Sequence, residues 1–183
     1  MKGTLDIAVE SMRNGGVIAC PTESVWGLSC DPNNEAAVGA LLLLKKRPIE
    51  KGLILVAARQ TQFDNLLNDL SKSKLATLKE SWPGPNTWLV PHQDKVPTWI
   101  TGSHDKVALR VTNHPIMHSL CLLWGGPLVS SSANPAGLKP AKTSQEVKMY
   151  FPDEPLALVY GETGDQALPS KIRDLDTGSI IRP

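Results

Sequence analysis

The sequence predicts a single mixed α/β domain over residues 1–183, in which strands and helices alternate along the chain. Two observations predict this class. Short apolar runs bounded by glycine or proline alternate with stretches in which apolar residues recur every third or fourth position. No repeat, low-complexity tract or polar linker interrupts the chain, and 183 residues suffice for one substantial core.

The composition is ordinary for a globular protein, with 41% hydrophobic residues, 20% charged residues and a formal net charge of +1. Because the net charge is close to zero, the chain as a whole lacks the positive charge that favours non-specific binding of nucleic acid. No apolar run is as long as a membrane span, and residues 1–16 lack the features of a signal peptide. Cys20, Cys30 and Cys121 form no C-x-x-C motif, so we expect reduced thiols and a cytoplasmic location.

The N-terminal residues predict a helix followed by a strand. Apolar residues recur at helical spacing before Gly15, namely Leu5, Ala8, Val9 and Met12. Residues 17–20 are a short apolar run typical of a strand, and they lead into a hydroxyl-rich loop over residues 21–28. Asn33 or Asn34 can cap the helix that comes next.

The middle of the chain predicts two helices among three strands. The strands cover residues 53–58, 87–90 and 107–111, and the helices cover residues 63–70 and 73–80. Between the second and third of these strands, we expect residues 91–106 to form an irregular loop.

The C-terminal part predicts two more helices and four strands. Asn113 is expected to cap a helix with Pro115 in its first turn, where proline is tolerated. Thr143 and Glu146 match a capping box for a short helix that ends near Tyr150. The strands cover residues 127–130, 156–160, 171–174 and 179–182, and the last two can pair as a hairpin.

A cationic stretch lies between two apolar runs. Its four cations are Lys45, Lys46, Arg47 and Lys51. Pro48 disfavours helical geometry at Arg47, so the preceding helix should end near Lys46 and leave these cations at a helix end and in a loop. They either complement the helix dipole or bind an anion.

A polar cluster follows another apolar strand and consists of Ser130, Ser131, Ser132 and Asn134. Because polar groups at the ends of two strands can meet in one crevice, the cluster and the cationic stretch together predict an anion-binding site. Arg110 lies within an apolar alternation, so it should face away from Val107, Leu109 and Val111. It is either a solvated strand residue or a bidentate clamp for a carboxylate or phosphate.

Several common site types are absent from the sequence. It contains neither a G-x-x-x-x-G-K-[ST] motif nor a G-x-G-x-x-G motif. His114 and His118 lack the intervening glutamate of a zinc protease, so a structural role is favoured over metal binding. Cys20 and Cys121 lie in apolar segments and are expected in the core rather than as nucleophiles.

The chain resembles the YrdC/TsaC family of threonylcarbamoyl-AMP synthases over nearly its whole length. The resemblance rests first on a K-x-R element, Lys45 and Arg47, and an S-x-N element, Ser132 and Asn134. The other matching positions are, in order, Pro21, Thr22, Glu23, Ser24, Gly27, Leu28, Pro48, Lys51, Gly52, Leu53, Trp82, Pro83, Gly84, Pro85, Ala108, Arg110, Val111, Ser130, Ala133, Gly137, Pro169, Ser170, Ile172, Arg182 and Pro183. No single element is specific to the family, but their order and their spread over nearly the whole chain are.

The resemblance implies a YrdC-like fold, in which a twisted mixed sheet with flanking helices surrounds a concave, positively charged cavity. Three positions depart from the family pattern. Trp26 replaces the commoner Tyr or Phe, Asn86 replaces Val, and Lys171 replaces Thr. These changes can alter the shape of a pocket but leave the K-x-R and S-x-N elements intact. The chain resembles the short, single-domain type.

The resemblance also implies a nucleotidyltransferase that combines L-threonine, bicarbonate or CO2, and ATP into threonylcarbamoyl-AMP and releases pyrophosphate. The implied catalytic residues are Lys45, Arg47, Ser132 and Asn134. The implied ATP-binding residues are Arg47, Lys51, Ser132, Asn134 and Arg182. The implied threonine-binding residues are Thr22, Arg110, Ser130 and Ser170, with Arg110 taking the carboxylate. Mg2+ is expected on the ATP phosphates, with no metal site on the protein itself.

By the same resemblance, the product passes to a partner transferase that modifies the adenosine beside the anticodon of certain tRNAs. No membrane is involved, and weak tRNA or RNA binding is a further expectation. The rival interpretation is an RNA-binding module that assists RNA maturation, but the sequence shows no RRM, KH or double-stranded-RNA signature. A third interpretation, a carbamoyl-transfer domain like those of hydrogenase-maturation proteins, predicts zinc-finger and acylphosphatase-like segments that are missing here.

Overall fold

The computed structural model describes residues 3–166 and 170–182. Pro169 and Pro183, two positions of the family resemblance, lie outside these residues. Within the described part, the strands form one mixed sheet in the order β7-β1-β2-β6-β3-β5-β4-β8-β9. The predicted class, a mixed sheet with flanking helices, is confirmed.

The strands are short, as the apolar runs predict. They are β1 (Ile18–Pro21), β2 (Trp26–Ser29), β3 (Ile54–Ala57), β4 (Asn86–Pro91), β5 (Lys106–Val111), β6 (Leu128–Ser132), β7 (Ala157–Leu158), β8 (Lys171–Asp174) and β9 (Ile180–Arg182). The helices are α1 (Thr4–Arg13), α2 (Glu35–Leu44), α3 (Asp64–Leu67), α4 (Lys72–Ser81), α5 (Thr98–Thr101), α6 (Pro115–Trp124) and α7 (Ser144–Tyr150), with 3-10 turns at Ile49–Lys51 and Gln60–Phe63. No helix of the described residues has the length and apolarity that crossing a membrane requires.

Strands β6, β3 and β5 lie at the centre of the sheet and position the site. Strand β6 pairs antiparallel with β2 and with β3, while β3 pairs parallel with β5. In this register, Gly27 is opposite Ser132, Ile54 is opposite Ser130, and Val56 is opposite Arg110. The pairing therefore brings chain segments that are distant in sequence to one region of the sheet.

Two apolar layers cover the two faces of the sheet. One layer packs α1 and α6 against β1 and β3 and includes Met12, Ile18, Val56 and Met117. The other layer packs α2 and the loops of the opposite face and includes Leu41, Leu55, Phe63 and Trp88. Neighbouring residues Leu55 and Val56 belong to different layers because successive side chains of a strand point to opposite faces.

Several local predictions are confirmed by particular contacts. The Asn34 side chain accepts a hydrogen bond from Ala37 N and caps α2, and the Thr143 side chain accepts one from Glu146 N and caps α7. Strands β8 and β9 pair antiparallel as the predicted hairpin. Cys20 and Cys121 are fully buried, and burial raises the pKa of each thiol to about 12, so neither is a ready nucleophile at neutral pH.

Four predictions of secondary structure are wrong. The expected loop over residues 21–28 contains β2, which pairs with β1 through a tight turn that the bond from Thr22 N to Val25 O closes. The expected helix over residues 63–70 is reduced to α3, which follows a 3-10 turn, and after α3 the bond from Leu70 N to Leu67 O has i→i+3 rather than α-helical spacing. The other two errors concern residues 91–106 and the N-cap of α6.

The expected irregular loop over residues 91–106 contains the one-turn helix α5, which places the buried Ile100 in the core. The residue at the N-cap of α6 is His114 and not Asn113, and its side chain makes no cap hydrogen bond. His114 N instead donates to the Thr112 hydroxyl at 3.1 Å. The chain thus enters α6 through a contact with the end of β5 rather than through an asparagine cap.

Candidate functional site

A cavity of about 240 Å3 lies where the turn after β1 meets the central strands. Seven of the ten predicted site residues line it, and they are Thr22, Arg47, Arg110, Ser130, Ser132, Ser170 and Arg182. They come from six separate parts of the chain. The structure therefore brings most of the predicted site together, although the roles of these residues stay predictions.

Arg110 lies in the wall of this cavity and is only 7% exposed, so the interpretation as a solvated strand residue is wrong. Its Nη2 lies 3.3 Å from Glu23 Oε2. The other carboxylate oxygen, Glu23 Oε1, accepts a hydrogen bond of 2.6 Å from the Thr112 hydroxyl. Arg110 Nε has no hydrogen-bond partner among the described residues, which leaves a buried donor for a ligand oxygen.

Arg47 is held by the main chain of its own loop. Its Nη2 donates to Gly52 O at 2.9 Å and to Lys51 O at 3.3 Å, and its Nε also donates to Gly52 O. Gly52 has a φ of +59°, and a Cβ there would lie 2.9 Å from Thr101 O, so glycine allows this tight approach. The loop thereby orients the guanidinium toward the cavity.

Arg182 and Ser170 close another side of the cavity. Arg182 Nη2 donates to Ser170 O at 2.8 Å, and the Ser170 hydroxyl is 2.8 Å from the buried Thr87 hydroxyl. Burial, followed by the charges of Arg110 and Arg47, lowers the pKa of the Arg182 guanidinium. Burial also lowers the pKa of Arg47. The three arginines therefore repel one another, and a bound anion would relieve this repulsion.

A second cavity of about 350 Å3 adjoins the first, since both are lined by Arg47, Leu53, Ile54 and Arg182. Lys51, another predicted site residue, lines this second cavity. Ligand pockets typically have volumes of roughly 300–1,000 Å3, so the two cavities together suit a ligand larger than an amino acid. A larger cavity of about 590 Å3 near Leu43 and Tyr150 contains none of the ten predicted residues.

Lys45 does not line the cavity, contrary to what its predicted catalytic role suggests. Its side chain is buried, and Nζ donates to the main-chain oxygens of Ser132 and Asn134, the latter at 3.0 Å. Burial, followed by the charge of Arg47, lowers the pKa of Lys45 to about 8. In this structure the Lys45 ammonium supports the chain around the S-x-N element.

Asn134 also lies outside the cavity lining. Its Nδ2 donates to Pro135 O at 3.0 Å and to Leu138 O at 2.8 Å, so the amide holds the loop after β6. Its Oδ1 is buried and has no hydrogen-bond partner among the described residues. The amide thus combines a structural role in the loop with one free acceptor.

Sequence reasoning assigned no role to three residues that lie behind the cavity lining: Glu23, Thr87 and Thr112. Each bonds directly to a residue that lines the cavity or to its partner. A usable signal was present for Glu23, because a carboxylate directly after a buried strand needs a cation partner. For the two threonines, a hydroxyl in an apolar strand was the only signal.

Within residues 3–166 and 170–182, no group of three or more His, Cys, Asp or Glu side chains is placed to hold a metal ion. Glu23, the acidic side chain beside the cavity, is already engaged by Arg110 and Thr112. The donor set at the site therefore consists of guanidinium groups and hydroxyls. Such groups bind phosphate and carboxylate oxygens.

Comparisons with known proteins show the family of the chain. The Sua5/YciO/YrdC family, described as "Telomere recombination", matches residues 10–183. Threonylcarbamoyl-AMP synthase from Pseudomonas paraeruginosa is 58% identical over 176 residues, which cover 96% of this chain and 95% of that protein.

Two solved structures are similar in fold. The crystal structure of P. abyssi Sua5 complexed with L-threonine superposes with a TM-score of 0.89 at 30% identity and covers 98% of this chain. This chain spans 53% of the length of that Sua5 protein. E. coli YciO superposes with a TM-score of 0.83 at 23% identity and covers 97% of this chain and 87% of its own, which shows the shared fold. The chain belongs to the Sua5/YciO/YrdC family.

Proposed function

We propose that this protein is an enzyme that forms threonylcarbamoyl-AMP and pyrophosphate from L-threonine, bicarbonate or CO2, and ATP. The names of its relatives at 58% identity support this activity. The observation that carries the proposal is the cluster of three arginines, Arg47, Arg110 and Arg182, around one cavity with serine hydroxyls between them. Such a cluster suits this reaction because the ATP phosphates and the carboxylate of threonine are negatively charged.

The two cavities suggest how the substrates are divided. The smaller cavity, with Thr22, Arg110, Ser130 and Ser170, would hold threonine. The solved complex of P. abyssi Sua5 with L-threonine supports threonine as the amino acid. The triphosphate would lie near Arg47 and Arg182, which line both cavities, and Lys51 would face it from the second cavity.

The chemistry needs little beyond positioning and charge neutralisation. The amine of threonine adds to CO2 and loses a proton, which gives a carbamate. A carbamate oxygen attacks the α-phosphorus of ATP. The bond from the α-phosphorus to the oxygen that bridges it to the β-phosphorus breaks, and pyrophosphate leaves. The chain's own contribution is to hold the carbamate and the α-phosphate together, with guanidinium groups on the charged oxygens and the hydroxyls of Ser130 and Ser132 between them.

Magnesium would enter as part of the MgATP substrate, since the site offers guanidinium and hydroxyl donors for the phosphates rather than a carboxylate cage. The product is a mixed anhydride, so it would be passed to a transferase that modifies tRNA. Weak contact with tRNA belongs to the same proposal.

The experiment is to measure pyrophosphate release by the purified protein with L-threonine, bicarbonate and MgATP, and with each omitted in turn. We expect release only when all three are present. L-2-aminobutyrate, which lacks the hydroxyl of threonine, is the matched control and should react poorly, because a hydroxyl of the site such as that of Thr22 would be left unpaired. Equal release without threonine would show that the protein has another activity.

A further inference from the structure

Glu23 places a negative charge behind the cavity lining, against Arg110. The residue is 4% exposed, and its two carboxylate oxygens face Arg110 Nη2 and the Thr112 hydroxyl. Burial alone would raise the pKa of Glu23, but the charge of Arg110 and the hydrogen bond from Thr112 outweigh it, and the pKa is lowered. Glu23 is therefore ionised at neutral pH.

The main chain fixes the position of this carboxylate. Gly164 N donates to Thr22 O at 3.0 Å, and Gln166 N donates to Glu23 O at 3.1 Å. A Cβ at Gly164 would lie 2.7 Å from Glu23 O, so glycine is what allows the two segments to approach this closely. The main chain from which the Glu23 side chain reaches Arg110 is therefore held in place.

The three cavity arginines therefore differ in their charge balance. Arg110 faces an ionised carboxylate at 3.3 Å. The hydrogen bonds of Arg47 and Arg182 run to main-chain oxygens, and neither forms an ion pair within residues 3–166 and 170–182. A phosphate with two or more charges is attracted most strongly to Arg47 and Arg182, which have no carboxylate partner in the described part of the chain. Beside Arg110 the same phosphate is repelled by Glu23. A singly charged carboxylate suffers less repulsion and can still accept from Arg110 Nε.

We propose that Glu23 sorts the two anionic substrates: by balancing the charge of Arg110, it reserves this guanidinium for a monoanionic amino-acid carboxylate and leaves the polyphosphate to Arg47 and Arg182. The inference rests on the proposed function, which supplies the two anions. Glu23 is a positioning residue, because it acts through Arg110 and does not line the cavity.

The test is Glu23→Gln, which removes the charge and keeps the size of the side chain. We expect the apparent KM for L-threonine, measured with ATP present, to rise about tenfold, because phosphates can then occupy Arg110, with little change in the KM for ATP. Inorganic phosphate should become a competitive inhibitor against threonine, because Arg110 is then unbalanced. A purely structural role for Glu23 would not create this competition.

Two further variants keep the test decisive. Glu23→Asp retains the charge but moves it away from Arg110, so phosphate should compete with threonine more weakly than in Glu23→Gln. Asp69→Asn, in the exposed ion pair with Lys95, should change neither quantity. Product formation is followed by chromatography, and folding by thermal unfolding.

The results separate this inference from the proposed function. If wild-type protein needs no threonine, the proposed function fails. If wild-type protein needs threonine but Glu23→Gln has an unchanged threonine KM and no phosphate competition, the sorting role alone fails. If Glu23→Gln does not fold, Glu23→Asp decides, because the absence of any phosphate competition in that variant also overturns the sorting role.

Discussion

Lys45 and Asn134 are joined by a hydrogen bond of 3.0 Å from the lysine ammonium to the main-chain oxygen of the asparagine. The same ammonium donates to Ser132 O, and Ala136 N donates back to Lys45 O at 2.7 Å. The K-x-R element at the end of α2 and the S-x-N element at the end of β6 are thus locked together. A substitution in one element should disturb the other.

The first prediction concerns the pH dependence of stability. The pKa of Lys45 is lowered from 10.5 to about 8 by burial and then by the charge of Arg47. Between these values the unfolded chain binds more protons than the folded protein, so this group's contribution to the free energy of unfolding rises with pH. The penalty of the buried charge is fully present below about pH 8 and is relieved as pH approaches 10.5.

Lys45→Met removes this titration. We expect the difference in free energy of unfolding, wild type minus Lys45→Met, to rise from pH 8 to pH 10 in urea titrations. Lys46→Met, which removes the exposed neighbouring ammonium, is the matched control and should keep the wild-type pH dependence. A constant difference for Lys45→Met would show that its ammonium is solvated in the folded protein.

The second prediction separates Ser132 from Asn134. Asn134→Ala removes two hydrogen bonds that hold the loop, each worth about 0.5–1.5 kcal/mol, so both the melting temperature and the activity should fall. Ser132→Ala removes a hydroxyl that lines the cavity, so stability should change by less than about 0.5 kcal/mol while activity falls. Melting temperature and pyrophosphate release are measured on both variants. A stable, inactive Asn134→Ala would instead assign the amide to ligand binding.

The fold was predictable where apolar residues repeat in a local pattern. Helix α1 buries Ala8, Val9 and Met12 at helical spacing, and β5 buries Val107, Leu109 and Val111 on one face. The same alternation placed Arg110 on the other face, which is where the cavity lies. Such patterns show which side of a helix or strand is buried, so they predict its orientation in the fold from the local sequence alone.

The short elements and the contacts of the site were not predictable in this way. Strand β2 and helix α5 have four residues each, too few to show a period, and they form because neighbouring strands and loops complete their hydrogen bonds. The positions of Lys45 and Glu23 depend on partners far away in sequence, the end of β6 and β5. No local pattern reports which strands pair.

The third prediction concerns Gly164. Gly164→Ala places a Cβ 2.7 Å from Glu23 O and 3.2 Å from Glu23 Cα, both main-chain atoms that cannot move independently. We expect a stability loss of about 1–3 kcal/mol and a higher KM for threonine. In Gly126→Ala the nearest atoms, of Trp124, are at ordinary distances of 3.8–4.0 Å, so this control should behave as wild type. A Gly164→Ala protein with normal stability and KM would mean that the segment moves freely away.

The fourth prediction concerns Lys46, which has a φ of +48° at the end of α2. Lys46 N donates to Leu43 O and Arg47 N donates to Leu42 O, the pattern of a helix end that favours glycine. Lys46→Gly should therefore raise the free energy of unfolding by about 0.5–1 kcal/mol. Activity should be unchanged, since the side chain is exposed. Urea unfolding provides the measurement, and destabilisation would show that the lysine side chain makes a compensating contact.

The last prediction compares Arg47 with its neighbour Lys46. Both are cations near the end of α2, but Arg47 lines both cavities and its guanidinium is oriented by Gly52 O, whereas Lys46 is exposed. If the stretch only complements the helix dipole, Arg47→Ala and Lys46→Ala should each cost about 0.3–1 kcal/mol of stability and little activity. The geometry of Arg47 predicts that the two variants differ sharply.

Loss of a charge-assisted hydrogen bond to the ATP phosphates costs roughly 1.5–3 kcal/mol, so Arg47→Ala should lower kcat/KM for ATP about ten- to a hundredfold. Arg47→Lys should also be poor, because an ammonium cannot make the planar two-bond contact of a guanidinium. Lys46→Ala should retain the wild-type rate. The measurement is threonine-dependent pyrophosphate release by all three variants at varied ATP concentration. Near-normal rates in all three would make Arg47 a surface cation and would place the triphosphate elsewhere in the molecule.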